Sequence, residues 1–413
     1  VKEQLFQDAL LGLGLFGLTT STVYSGLVAR ASLLFAHAGC SACGMAGTYR
    51  PPVSILKPLH GSEPNLASHL ESFFYQQYPE YEILFCARTA DDPGLRIARE
   101  VAQRYPAIPT RFLVSGEPPY ANAKVASLEV MYKAARHDIL IVSDSDVHVQ
   151  SHYLREVVAP FAAADVGAVT CLYRGVVAGR GNSIWALLEG VGMSVEMPSG
   201  VLVARMLEGM QFLLGPTMAV RRKCVEAIGG FAALGPYCSD DFLLGKWIVE
   251  KGHQIVLSQH VVDHIILNTG FTASVKHQVR WMKSTRCSRP KGHLGTALTF
   301  GMPFALLSAA AFAWMGHGSL AVAALLGGFL GRMLLASLIG GLVVKERQLW
   351  RTVLLNPLRD LMGFVYWAAS YSSNRILWRG QEYDLVEDGL MMPVASLATA
   401  ALPNEEREPA LTH

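Results

Sequence analysis

The stretch Ile139-Leu140-Ile141-Val142-Ser143-Asp144-Ser145-Asp146 decides how this chain is read. Four consecutive β-branched or leucine residues form a strand buried on both faces, and the strand runs directly into two acids. Upstream, Val53–Leu56, Tyr81–Arg88 and Arg111–Val114 read as further short apolar strands. Leu66–Tyr75, Asp92–Tyr105 and Lys124–Ala135 read as the helices between them. Strands of four to eight residues alternating with helices predict an α/β domain built on a parallel sheet. Ligands of such sheets bind at the carboxyl ends of the strands. Those ends carry Asp91-Asp92 and Asp144-Ser145-Asp146.

Asp144-x-Asp146 projects two carboxylates close together. Hard divalent cations such as Mg²⁺ take one or two carboxylates together with substrate phosphates. A helix cap with a solvated neighbour is the plain alternative. Asp91-Asp92-Pro93 and Ser239-Asp240-Asp241-Phe242 carry the same two readings, since each pair precedes a helical stretch. At Asp241 or Asp240 a carboxylate could also serve as general base to an acceptor hydroxyl. Farther on, His277-Gln278-Val279-Arg280-Trp281 opens a basic amphipathic segment that runs to Arg289. It suits a bilayer interface, and Arg280 also suits a pyrophosphate.

Composition agrees with a membrane-bound enzyme. The 413 residues are 51% hydrophobic and only 16% charged, against about 25% charged in soluble chains. A net charge of +2 provides no field for nucleic-acid binding. Seven cysteines, an odd and scattered set, argue against a disulfide framework. Cys40 and Cys43 read as small apolar residues or as a lone metal or redox pair.

The apolar excess sits at the two ends. Residues 9–29 carry no charge and are long enough to span a bilayer as an uncleaved anchor. Residues 297–344 hold only Arg332, with a turn near His317, and fit two more spans. Arg332 is expected to face protein rather than lipid. A further stretch, 353–373, contains Arg359 and Asp360 and reads as a third span or a re-entrant segment. Basic residues at 280–291 and 345–351 place the middle of the chain in the cytoplasm. If 353–373 spans, the C-terminal tail lies outside. Val201–Val220 reads either as a core helix or as an interfacial element admitting a lipid. The expected organisation is an anchor at 1–48, a catalytic domain at 49–273 and a basic interfacial segment at 274–296. A transmembrane region at 297–380 and a tail at 381–413 follow.

The ordered set of motifs resembles the ceramide glucosyltransferase family, glycosyltransferases of GT-A (Rossmann-like) fold, and its bacterial hopanoid-biosynthesis branch. The resemblance rests on residues 53–61, Tyr78-Pro79-Glu80-Tyr81-Glu82, Asp91-Asp92-Pro93, Asn122-Ala123-Lys124, Asp144-Ser145-Asp146, Ser239-Asp240-Asp241 and Arg280-Trp281. Trp378-Arg379-Gly380 with Tyr383 resembles the family's tail. It implies a GT-A domain in the cytoplasm with one N-terminal and two to three C-terminal transmembrane helices. It implies an inverting enzyme that moves one sugar from a UDP-sugar to a hydroxyl of a membrane lipid. Asp91, Asp92 and Lys124 would bind the nucleotide, and Asp144 and Asp146 would hold Mg²⁺ or Mn²⁺. Asp241, with Asp240 as contender, would be the base, and Arg280 and Trp281 would close on the diphosphate and the acceptor. His277 departs from the family's Gln/Arg at that position, and Gln278 beside it leaves a local shift open.

The segment Arg286–His293 looks more like the hopanoid branch, which implies UDP-N-acetylglucosamine and a polyol hopanoid in a bacterial inner membrane. UDP-glucose and ceramide are the alternative. A processive polysaccharide synthase would need a larger bundle, and a non-catalytic lipid-binding protein need not keep three acidic sets.

Overall fold

The computed structural model describes residues 2–42, 49–178, 183–267, 270–378 and 380–394. The side chains of Cys40 and Cys43, and Arg379, lie outside what it describes. Eight strands make one sheet: β1 (Val53–Pro58), β2 (Tyr81–Ala87), β3 (Thr110–Val114), β4 (Ile139–Val142), β5 (Val147–His148), β6 (Val166–Val177), β7 (Met218–Arg221) and β8 (Gln254–Ile266). Three more, β9 (Arg375–Trp378), β10 (Gln381–Leu385) and β11 (Met391–Pro393), form a separate small sheet.

The order across the large sheet is β3-β2-β1-β4-β7-β6-β8-β5. Its first half is the expected parallel unit, with β1 paired to β2 and β4, and β2 to β3. The helices between these strands follow the expected positions, at Pro93–Gln103 and Ala123–Ala134. The second half departs from the parallel expectation. β7 runs antiparallel to both β4 and β6, and β5 antiparallel to β8. The sequence between β4 and β8 holds long irregular and helical connections, so strand direction there depends on pairing across the sheet. The whole is the expected α/β architecture of GT-A type.

Among the described residues, three helices are long and apolar enough to cross a membrane: Lys2–His37, Ile184–Glu208 and Gly318–Val343. A bent pair, Pro290–Thr299 with Met302–Trp314, adds a broken span kinked by 47°. The Ile184–Glu208 helix is 78% buried inside the protein, so it belongs to the core. This corrects the reading of Val201–Val220 as one element. That stretch is the end of a helix (Met197–Glu208), a loop and then β7.

The first helix, Lys2–Ala42, continues past the membrane-length stretch into the catalytic domain. Phe35 joins the main core there, and Gln259 Nε2 donates to the Phe35 carbonyl at 2.8 Å. Close helix packing needs small residues. A Cβ on Gly17 would lie 2.0 Å from the Phe304 ring of the neighbouring helix. Arg332 faces protein, as expected. It bonds Asp360 Oδ1 at 3.2 Å and the hydroxyls of Ser21 and Ser25 at 2.8 and 2.9 Å. Asp360 also accepts from the backbone N–H groups of Gly301 and Met302 at 2.8 and 2.7 Å. One buried ion pair thus ties four apolar segments together.

The segments flanking the helix Leu349–Ala369 both contact the domain built on the large sheet. Just before it, the carbonyls of Val344 and Lys345 accept from Arg174 on β6. Just after it, Ser373 and Arg375 accept from Lys283. The small sheet that follows pairs with the catalytic domain at Tyr237. The C-terminal segment therefore returns to the domain built on the large sheet. The boundary expected at 380/381 falls inside the β9–β10 hairpin.

Candidate active site

The site grows from the carboxyl ends of β1 and β4, which pair as far as Leu56 and Val142. Lys57, the next residue of β1, is fully buried. Its ammonium donates to the Asp144 carbonyl, reaches Ser143 Oγ at 3.4 Å and sits 3.9 Å over the Phe73 ring. Burial pulls its pKa down to about 7, although Asp144 and Asp146 work against that. A lysine under the acidic turn thus holds its backbone in place. Sequence reasoning missed it, because an isolated Lys before Pro carries no signal.

Lys124 joins the acidic motifs. It opens the helix Ala123–Ala134, whose cap Asn122 accepts from the N–H groups of Lys124 and Val125 at 3.2 and 3.4 Å. Asn122 Nδ2 in turn donates to Asp240 Oδ1 at 3.2 Å. Lys124 Nζ lies 2.7 Å from Asp144 Oδ1 and 3.5 Å from Asp240 Oδ2. Burial opposes the charge on Lys124, but Asp144, Asp240 and Asp241 raise its pKa on balance, so it stays an ammonium.

Asp241 opens the helix Asp240–Glu250 beside this pair. Its Oδ2 accepts from the Gly215 N–H at 2.9 Å and its Oδ1 from the Phe242 N–H at 2.8 Å. Burial first, and then the neighbouring Asp240, push its pKa up to about 6, with Lys124 pulling the other way. A Cβ on Gly215 would lie 3.3 Å from Asp241 Oδ2 and 3.5 Å from Asp144 Oδ2. The two carboxylates therefore flank one backbone position.

Asp146 faces a residue the sequence did not single out. β5 pairs with β8 in the register Val147↔His264, which sets His264 beside the preceding Asp146. His264 Nε2 is 3.5 Å from Asp146 Oδ2. Asp146 Oδ1 is buried with no hydrogen-bond partner among the described residues. Ser145 donates to Glu63 Oε1 at 3.0 Å, and burial together with Asp146 raises the Glu63 pKa to about 7.

Asp91 and Asp92 differ in setting. Asp92 caps the helix Pro93–Gln103 and also accepts from the Gly61 N–H at 3.0 Å, so its carboxylate clasps the loop after β1 to that helix. Asp91 beside it is exposed, and its hydrogen bond from Thr89 lowers its pKa.

The helix Phe271–Ser288 places His277, Arg280 and Trp281 on one face, as a spacing of three and four dictates. His277 Nδ1 is 2.7 Å from Glu189 Oε1, and Ser274 donates to the other oxygen at 2.8 Å. The Trp281 ring lies 4.4 Å from His277 and 6.5 Å from His264, centroid to centroid. Gln278 turns elsewhere and accepts from Arg359 at 2.9 Å. His277, not Gln278, thus lines the cavity. A cavity of about 680 Å³ runs along this face, with Asp146, His264, Glu189, His277 and Arg280 in its polar wall. Met193, Val275 and Ile376 contribute to its apolar wall. Elsewhere, ligand atoms of His152, Glu156 and His260 lie within 4.8 Å of one another, and none of the three lines this cavity.

Comparison with known proteins adds three findings. The model of the family described as "Glycosyl transferase family 21" matches residues 18–391. Ceramide glucosyltransferase 1 of Caenorhabditis elegans is 26% identical over 215 residues, which are 51% of this chain and 44% of that protein. Ceramide glucosyltransferase of Komagataella phaffii is 33% identical over 150 residues, 35% of this chain and 29% of that one. The chain spans half or less of the length of these curated relatives. Among solved structures, the mannosyltransferase PcManGT from Pyrobaculum calidifontis, in complex with GDP-Man and Mn²⁺, is similar at a TM-score of 0.45. It is 17% identical, with 86% of this chain and 99% of that one covered.

Proposed function

Because this chain belongs to glycosyl transferase family 21, we propose that it is a membrane-bound inverting transferase moving one sugar from a UDP-sugar to a hydroxyl of a membrane lipid. The observation that carries this reading is the Lys124 bridge. It draws Asp144 and Asp240 together next to Asp241, and Asp146, two residues after Asp144, lines a cavity together with Arg280.

In this mechanism, Asp241 accepts the proton of the acceptor hydroxyl. The hydroxyl oxygen then forms its bond to the anomeric carbon as the bond to UDP breaks in line. One such displacement turns an α-linked donor into a β-glycoside. Arg280 offsets the charge growing on the departing diphosphate, and Trp281 packs against the acceptor. Exposed Asp91 meets the nucleotide, Asp92 sets the loop it stands on, and Lys124 approaches the nucleotide from Asp144. Asp144 and Asp146 would hold Mg²⁺ or Mn²⁺. The partnerless Asp146 Oδ1 suits such a cation, and His264 adds a nitrogen donor facing Asp146. When bound, the ion supplies positive charge to the diphosphate.

The apolar wall of the cavity and the adjoining membrane-length helices support a lipid acceptor. The reading puts the catalytic domain on the cytoplasmic face of a bacterial inner membrane, supported by the basic residues at 280–291 and 345–351. For the specific pair, UDP-N-acetylglucosamine and a polyol hopanoid follow from the character of Arg286–His293. UDP-glucose and ceramide are the second reading, favoured by the curated relatives. Purified chain given either UDP-sugar, crossed with ceramide or bacteriohopanetetrol, is expected to yield a lipid carrying one sugar, read by mass spectrometry. A long polymer, or no glycolipid in any combination, defeats the proposal.

A further inference from the structure

Trp378 has no task in the mechanism above, yet the structure brings its ring to Arg280. β9 and β10 form a hairpin whose turn holds Gly380 at φ +83°, a conformation that favours glycine. The small sheet then docks on residues just ahead of the acidic pair. The Met391 N–H donates to the Pro236 carbonyl and the Cys238 N–H to the Gly389 carbonyl, each at 2.9 Å. Lys246 and Asp388 add an ion pair at 3.0 Å. Docked this way, β9 lends Ile376 to the cavity wall and sets the Trp378 ring against Arg280. The guanidinium carbon lies 4.8 Å from the ring centroid. The other neighbour of Arg280 is the Cys238 thiol, on the residue that the sheet pins through Gly389.

Arg280 is thus a half-buried cation, and the C-terminal sheet organises both Trp378 and Cys238 beside it. Among the described residues it has no carboxylate partner. A carboxylate would hold the guanidinium and compete with a phosphate for it. An aromatic face attracts the cation through its quadrupole and leaves its N–H donors available to an anion.

We propose that Trp378 is a positioning residue that holds Arg280 ready for the leaving diphosphate, so that the C-terminal sheet is part of the active site. The inference rests on the reading in which Arg280 meets that diphosphate.

The test uses the full chain in detergent with UDP as the probe, read by calorimetry, alongside steady-state kinetics. Trp378→Leu is expected to weaken UDP binding by about 10-fold and raise the KM for the UDP-sugar, leaving the KM for the lipid unchanged. Trp378→Phe, which keeps an aromatic face, is expected to restore most of the affinity. In an Arg280→Met background the effect of either substitution on UDP binding is expected to vanish, as a double-mutant cycle requires. If the Leu variant does not fold, Trp378→Met, which also removes the aromatic face, carries the comparison in the two backgrounds. Unchanged UDP affinity on loss of the ring, or an equal loss with Met at 280, overturns the inference alone. A wild-type chain that does not bind UDP overturns the parent reading and this inference with it.

Discussion

Lys124 Nζ lies 2.7 Å from Asp144 Oδ1, and through that contact the two halves of the catalytic sheet share one charge cluster. Asp144 ends a strand of the parallel half. Asp240, the second partner of Lys124, opens a helix that follows the antiparallel β7. Removing the ammonium leaves Asp144, Asp240 and Asp241 repelling one another. Lys124→Met is expected to lower kcat/KM by about 100-fold. It should also move the acid limb of the pH–rate profile to higher pH, because Asp241 loses the charge that favours its ionised form.

With Asp241 as the proposed base, the pH profile of the wild-type chain is expected to follow its carboxyl. Its carboxyl titrates at about 6, and the base form is the carboxylate. Above that pH the base is ready. As pH falls through about 6 the group takes up a proton, and the rate drops toward tenfold per unit. Asp241→Asn is expected to lose about 10³-fold in kcat and to abolish that limb. Turnover of the Asn variant at the wild-type rate would remove Asp241 from the mechanism.

Gly215 is expected to control the aim of the base. The methyl of Gly215→Ala would stand 3.3 Å from Asp241 Oδ2, so the carboxylate must give by a few tenths of an ångström. Small displacements of reacting groups cost rate steeply. A fall of about 10- to 100-fold in kcat is expected with little change in melting temperature. Steady-state kinetics beside thermal unfolding in detergent separate this from general destabilisation.

The buried pair Arg332–Asp360 is expected to matter for stability rather than chemistry. Its side chains are only 5% and 8% exposed. Asp360→Leu leaves a buried guanidinium and the N–H groups of Gly301 and Met302 without their acceptor. Breaking such a pair costs about 3 kcal/mol or more. Asp360→Asn keeps an acceptor and is expected to lose less, which a comparison of unfolding in one detergent would show.

Much of the site was legible in the linear order of residues. Apolar strands ending in acids, and the three-and-four spacing of His277, Arg280 and Trp281, express local rules of strand and helix geometry. The residues not legible share another property. His264 reaches Asp146 only through the β5–β8 register, and Glu189 reaches His277 only because two helices pack. Gly215 meets Asp241 through a loop, and Trp378 meets Arg280 through the docked C-terminal hairpin. None of these pairings leaves a periodic trace, since the partners are distant in sequence.

The same division applies to the membrane segments. Length and apolarity alone marked 9–29 and 297–344 as bilayer-spanning. They left 353–373 open between a third span and a re-entrant segment, and only packing shows that Leu349–Ala369 returns its C-terminal end to the sheet domain. By itself the sequence determined the strand-and-helix alternation, the places of the acids and the existence of membrane-length helices, because each depends on neighbouring residues. The tertiary structure alone decided the mixed half of the sheet, the setting of each carboxylate and the role open to the C-terminal sheet. Those depend on contacts between distant segments, whose free energy exists only once the chain has folded.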